Sequence, residues 1–123
     1  MGKPGIAINL MRKGIETMEK IGAEIGRPLF LSLLAEGYCK AEQNDEGLAV
    51  TIEALDTASR NGEYWNIADL YRLKGDLLAV KDGRDAETTA SYRQALEIAH
   101  QQNARSIELR AEKALASYLE GNN

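Results

Sequence analysis

Cys39 and His100 are the residues of this 123-residue chain most suited to nucleophilic chemistry, and each is the only residue of its type. A cysteine–histidine pair acts as nucleophile and base when the two side chains lie within hydrogen-bond reach. The helical pattern of the sequence places them on different helices, which argues against such a pair. We interpret Cys39 as a packing residue and His100 as a basic residue favoured by a helix C-terminus. We therefore predict that the chain is not an enzyme.

The acidic residues Glu42, Asp45 and Glu46 raise the alternative of a cation site. Their spacing lacks the glycine and the twelve-residue ligand series of a calcium loop, and acidic residues are favoured at helix starts in any case. The sequence also contains no glycine-rich phosphate-binding loop of the G-x-x-x-x-G-K-[ST] type. We expect neither a metal ion nor a cofactor.

The charge balance disfavours two classes of partner. Nineteen acidic residues against fifteen basic ones give a net charge of −4, whereas nucleic-acid binding normally requires a basic face. No polybasic run marks a membrane-surface helix, and the longest apolar stretch, residues 29–35, is far shorter than the ~20 residues of a membrane span. With a single cysteine and no secretory pattern at the start, we expect a cytoplasmic protein without nucleic-acid or membrane partners.

Apolar residues recur at steps of three and four along nearly the whole chain, which predicts an all-α fold. We expect one helical domain over residues 1–123. Its parts are a single helix at 6–26, helix pairs at 29–62 and 64–103, and a final helix at 105–119. The first pair should end near Asn61 and Gly62, because glycine favours the left-handed conformation that ends a helix.

Small residues recur in this helical pattern at a nearly constant spacing, which predicts a repeated helix pair. Two independent series show separations of 40 and 41 residues, one on the first helix of each pair and one on the second. The two series are Ala35, Gly75 and Ala116, and Gly14, Ala54 and Ala95. Small residues at such places let neighbouring helices approach closely. The alternative is an irregular helical bundle, in which small residues also mark helix crossings.

The residues of the two complete pairs resemble the tetratricopeptide repeat family. The first pair supplies Ala35, Tyr38, Gly47 and Ala54, and the second supplies Gly75, Leu78, Tyr92 and Ala95. Thr51 stands where the family usually has an aromatic residue and Thr88 where it has a small one. Asn44 and Asp85 stand in place of the family's terminal proline, and the spacing exceeds the usual ~34 residues. The resemblance implies a right-handed α-solenoid of about six helices.

Three segments, residues 70–78, 92–99 and 104–110, look like the longer repeats at the C-termini of bacterial predicted ATPases and of adenylate-cyclase-type or LuxR-type regulators. That resemblance implies that the chain corresponds to the regulatory tail of a larger protein. The partner would then be a protein or peptide, including other domains of a larger parent chain.

In a solenoid of this kind, the face opposite the core on the first helix of each pair lines a concave groove. The predicted partner-binding residues are Ser32, Glu36, Cys39, Trp65, Asp69, Arg72, Asp76, Arg110, Lys113 and Ser117. The alternative is a set of solvated helix faces with ordinary charge pairs, because Arg72 stands three residues from Asp69 and four from Asp76. For Trp65 the alternative is partial burial between repeats, which we favour. If Arg72 faces solvent, Arg72→Glu should weaken partner binding and leave stability nearly unchanged.

The sequence thus predicts a non-catalytic scaffold that binds a peptide or helix in its groove. The alternative function is homodimerisation through the apolar flanks of the end helices. A small-ligand-binding domain is a third alternative, which a deep pocket with converging polar groups would favour.

Overall fold

The computed structural model describes residues 3–22, 26–81 and 83–121, with the side chains described from residue 5 onward. Six α-helices and no strand occur within these ranges, which confirms the all-α prediction for the described residues. The helices are α1 (Lys3–Ile21), α2 (Arg27–Lys40), α3 (Asn44–Asn61), α4 (Ile67–Ala79), α5 (Asp85–Gln101) and α6 (Arg105–Gly121). The helix predicted at 6–26 includes residues 23–25, which lie outside the described residues.

Two helix boundaries differ from the prediction for local reasons. Pro28 lies inside the first turn of α2, where its missing N–H costs nothing, and the chain turns earlier at Gly26 with φ of 87°. The second complete pair begins at Ile67 instead of residue 64, so Tyr64 and Trp65 precede α4. The end of α3 follows its sequence signal, since Gly62 adopts φ of 68° and its N–H bonds back to Ala58 and Ser59.

The chain packs as two compact units, residues 1–66 and residues 67–123, called here the first and the second unit. In the first unit, α2 packs between α1 and α3, and those two outer helices do not pack on each other in the described part. This packing buries Leu31, Leu34 and Tyr38 of α2 together with Ile8 and Ile15 of α1. The first unit is therefore built around α2.

In the second unit, α4 packs mainly against α5, and α6 contacts both. Leu70, Leu73, Leu77 and Leu78 of α4 are almost completely buried. Gly75 allows the close approach of the two helices, because a Cβ at this position would lie 2.6 Å from ring atoms of Tyr92 on α5. The sequence prediction of a helix crossing at Gly75 is confirmed.

The small residues predicted to mark crossings do not all do so. Ala35, Ala54 and Ala95 are fully buried, and Gly14 of α1 faces the ring of Phe30 on α2. Ala116 on α6 is instead exposed. The expectation of a packed crossing at Ala116 is wrong for this structure, because no described helix covers that side of α6.

Candidate binding surfaces

Three predicted groove residues lie together on α2 in the first unit. Ser32, Glu36 and Cys39 share one face of the helix and are half-buried. The Ser32 hydroxyl donates to the carbonyl oxygen of Leu29 at 2.7 Å, so this group is already engaged within the helix. Trp65 lies between α3 and α4 and belongs to neither helix. It stands in the turn before α4, which contradicts its predicted position on a helix, and 58% of its surface is exposed, so its expected partial burial is also wrong.

Arg72 differs most from its predicted environment, because it is buried instead of facing solvent. Its Nε donates to Asp69 Oδ1 at 2.8 Å and its Nη1 donates to Asp76 Oδ2 at 2.7 Å. Both intrahelical charge pairs predicted from the spacing are therefore present. The premise that Arg72 faces solvent is wrong. The neighbouring leucines of α4 pack into the core of the second unit, and Arg72 is buried together with them.

The ion pairs of Arg72 extend to neighbouring helices. Tyr92 of α5 donates its hydroxyl to Asp76 Oδ1 at 2.6 Å, and Arg110 of α6 lies 3.8 Å from Asp69 Oδ1. Lys113 and Ser117 are exposed on α6. The second unit thus brings Asp69, Arg72, Asp76, Tyr92 and Arg110 into one polar network, which joins its three helices. Partner binding by these residues stays a prediction.

A cleft that the sequence analysis missed opens in the first unit between α1 and α3, with α2 as its floor. We call it the first-unit cleft. Ile15, Leu31, Leu34 and Val50 supply its apolar surface. Ile15 and Leu34 are both nearly buried beneath it, at 8% and 5% exposure. The cleft exists because α1 and α3 stand apart on α2, which periodicity along the chain does not report.

Arg12 lies above Tyr38 at one end of this cleft. Its guanidinium carbon is 5.6 Å from the centre of the ring, and its Nε donates to the phenolic oxygen at 2.8 Å. A second guanidinium nitrogen of Arg12 donates to the same oxygen. A buried tyrosine needs a partner for its hydroxyl. This need of the Tyr38 hydroxyl is the signal by which the sequence could have indicated a polar neighbour here, and the sequence analysis did not use it.

Arg27 closes the other end of the cleft by bridging α1 and α3. Its Nη1 donates to Glu19 at 3.1 Å and its Nη2 to Glu53 at 2.8 Å. The hydrogen bond with Glu53 raises the pKa of Arg27 above its ordinary value, opposed by burial and reinforced by Glu19. The guanidinium therefore stays charged and fixes the spacing of the cleft walls.

The size of the first-unit cleft bears on what it can hold. Its volume is about 220 Å³, below the ~300–1,000 Å³ of typical small-molecule sites. An apolar side chain with a short stretch of peptide fits such a space better than a cofactor does.

The rim of the first-unit cleft carries charge of both signs. Three acidic side chains line it, Glu16, Glu19 and Glu53, against the two arginines. Glu19 and Glu53 are already paired with Arg27, so a basic residue beside the apolar one would complement the remaining negative charge of the rim at Glu16.

A second, larger depression of about 400 Å³ lies between α4 and α5. We call it the second-unit trough. It is open to solvent and is lined by Tyr71, Lys74, Glu87, Ala90, Ser91 and Gln94. Glu87 is paired with Arg84 at 2.9 Å. This trough and the first-unit cleft are both open to solvent, so neither encloses a small ligand as such sites usually do.

His100 lies near the end of α5 and contacts an acidic residue of α6. His100 Nδ1 lies 3.1 Å from Glu108 Oε2. The hydrogen bond from Arg105 lowers the pKa of Glu108, and His100 contributes in the same direction. Among the described residues, no three histidine, cysteine or acidic side chains are grouped so as to hold a metal ion.

Comparison of the chain with protein-family models, curated proteins and solved structures finds no match. No described helix has the length and apolar character needed to cross a membrane. The function proposed for this chain therefore rests on its own residues and their geometry.

Proposed function

We propose that the chain is a non-catalytic protein-interaction module of tetratricopeptide-like helix pairs, stacked as a right-handed solenoid. It serves as the cytoplasmic regulatory tail of a larger bacterial signalling or ATPase protein and holds a peptide or helix of its partner. The repeated spacing of small residues and the resemblance of residues 70–78, 92–99 and 104–110 support the repeat assignment.

The first-unit cleft is the observation that carries the binding function. An apolar floor with charged residues at its rim is the usual arrangement of a site for one anchoring side chain. Arg12 and Arg27 hold the two ends through contacts with Tyr38, Glu19 and Glu53. Because these contacts order the walls before a partner arrives, less entropy is lost on binding. The proposed ligand is a peptide with a large apolar side chain next to Lys or Arg.

Selection of a random peptide library displayed on phage against the full chain tests this proposal. We expect enrichment of peptides that pair a large apolar residue with a basic one. Val50 forms part of the cleft wall, so Val50→Trp should fill the cleft and weaken binding of an enriched peptide at least tenfold, or by about 1.4 kcal/mol. Fluorescence anisotropy with the labelled peptide gives the Kd.

The matched control is Ile52→Trp, which places the same side chain at an exposed position of the same helix. It should bind the peptide as the wild type does, and both variants should keep the wild-type helical circular dichroism. Enrichment of no peptide, or equal affinity of wild type and Val50→Trp, would show that the cleft is not a binding site.

A further inference from the structure

The second-unit trough and the first-unit cleft are formed by corresponding positions of the two complete helix pairs. Steps of 40 and 41 residues, which also separate the small residues of these pairs, relate four residues of the cleft to four residues of the trough. The related pairs are Leu31 and Tyr71, Leu34 and Lys74, Val50 and Ser91, and Glu53 and Gln94. Each unit thus has a depression between the two helices of its complete pair.

The trough differs from the cleft in the chemistry of these residues. The three apolar side chains of the cleft correspond to the phenol of Tyr71, the ammonium of Lys74 and the hydroxyl of Ser91. The carboxylate of Glu53 corresponds to the uncharged amide of Gln94. All four groups in the trough can donate hydrogen bonds. The trough therefore suits a ligand that accepts hydrogen bonds, whereas the cleft suits an apolar one.

The four donors of the trough are not used within the protein. Among the described residues, none of these side chains has a hydrogen-bond or ion-pair partner. Ser91 is only 5% exposed, and a buried hydroxyl is normally hydrogen-bonded. The buried hydroxyl of Thr88, one turn earlier on α5, does donate to the carbonyl oxygen of Arg84 at 2.8 Å. A ligand in the trough would satisfy the hydroxyl of Ser91.

The charge of the trough indicates which acceptor fits. Lys74 is the one cation among the residues that line the trough, and it is half-buried. Glu87 at the edge is held by Arg84 at 2.9 and 3.1 Å, so its charge is already balanced. One positive charge matches the single negative charge of a carboxylate. A phosphoryl group carries about −1.5 to −2 and would be only partly compensated.

From these observations we propose that the second-unit trough binds the side chain of an aspartate or glutamate in a partner peptide. Lys74 forms an ion pair with the carboxylate, and the hydroxyl of Ser91 and the amide of Gln94 donate to its oxygens. Ala90 and the ring of Tyr71 supply apolar contact beside it. The inference rests on the proposed interaction function but not on the first-unit cleft, whose ligand has the opposite charge.

Phage display with the cleft filled tests this proposal. A random peptide library is selected against the full-length Val50→Trp variant and, in parallel, against the wild type. Both selections should enrich peptides that contain Asp or Glu. Titration of the ¹⁵N-labelled full chain with an enriched acidic peptide should shift amide signals mainly in residues 71–74 and 87–94.

Substitution of Lys74 measures the contribution of the ion pair. Lys74→Gln should weaken binding of the labelled acidic peptide by about tenfold or more in fluorescence anisotropy, whereas Lys74→Arg should retain most of the affinity. Arg93→Gln is the matched control, because it removes one positive charge from an exposed position of α5 outside the trough. It should bind as the wild type does.

The failure of this proposal can be distinguished from the failure of the first-unit cleft. Peptides that pair an apolar with a basic residue should bind Lys74→Gln as they bind the wild type. Enrichment of no acidic peptide in either selection, equal affinity of wild type and Lys74→Gln, or amide shifts outside the trough would each overturn the proposal. A tenfold gain in affinity when phosphoserine replaces the acidic residue would also overturn the assignment to a carboxylate.

Discussion

The guanidinium of Arg72 is shared between two carboxylates of its own helix, one turn before it and one turn after it. Its side chain is only 8% exposed, whereas those of Asp69 and Asp76 are 29% exposed. A charge this deep in a protein is stable only when it is paired and hydrogen-bonded. Arg72 therefore acts as a structural residue of the second unit, whatever else its neighbours bind.

Replacing Arg72 should accordingly destabilise the protein. Arg72→Met retains much of the apolar stem but removes the cation that Asp69 and Asp76 share, at a cost of about 3 kcal/mol. Asp76 keeps its hydrogen bond from Tyr92, and Asp69 keeps the more distant Arg110. This expectation reverses the one drawn from a solvent-facing Arg72. Urea denaturation followed by circular dichroism measures the free energy of unfolding.

Arg60→Met is the control for this measurement. The Arg60–Asp56 pair at 2.9 Å has both side chains more than half exposed, and such pairs contribute about 0–1 kcal/mol. If the two variants lose the same small amount of stability, the buried ion pairs of Arg72 contribute no more to stability than an exposed pair does.

At the scale of the elements, close crossings of helix pairs hold each unit together. Among the described glycines, Gly75 under Tyr92 leaves the least room for a Cβ, and the Tyr92 hydroxyl is fixed by Asp76. The ring is also almost fully buried. Because neither the ring nor the α4 backbone can move aside freely, the glycine determines how near α5 approaches α4.

Gly75→Ala should therefore destabilise the protein by about 1–3 kcal/mol through overpacking, even though alanine favours a helix by about 0.5–1 kcal/mol over glycine. Thermal and urea denaturation both measure this loss.

Gly14→Ala offers the matched comparison on α1, where a Cβ would lie 3.4 Å from the Phe30 ring, an ordinary contact. There the helix propensity dominates, and we expect a stabilisation of about 0.5–1 kcal/mol. An equal gain in stability from both substitutions would disprove the tight crossing at Gly75.

At the scale of the whole molecule, each unit has its own buried leucines. Leu34 is buried in the first unit and Leu77 in the second. Truncating such a residue to alanine typically costs 2–5 kcal/mol. Local opening in proteins follows cooperative units, so the two substitutions can report whether the chain unfolds as one domain, as predicted from its length, or in two parts.

We expect Leu34→Ala to lower amide hydrogen-exchange protection mainly in α1–α3 and Leu77→Ala to lower it mainly in α4–α6. Hydrogen-exchange mass spectrometry on the full-length variants measures both effects. A uniform loss of protection along all six helices in either variant would instead show a single cooperative domain.

The sequence by itself determined the features that depend on neighbouring residues along the chain. Periodicity predicted six helices, Gly62 predicted the end of α3, and Gly75 predicted a close crossing, because dihedral preferences and side-chain volume act locally. The charge pairs of Arg72 with Asp69 and Asp76 were also predictable, since helix geometry fixes steps of three and four.

Only the tertiary structure decided which of these groups are exposed. The position of Arg72 on its helix follows from the sequence, but its burial depends on how closely the neighbouring helices pack around it. Trp65 lies outside the helix because α4 begins only at Ile67. The first-unit cleft depends on the separation of α1 and α3, which Arg27 fixes by reaching Glu19 and Glu53, residues far apart in sequence. Burial and cavities arise from such long-range contacts, and a periodic pattern along one chain contains no measure of those distances.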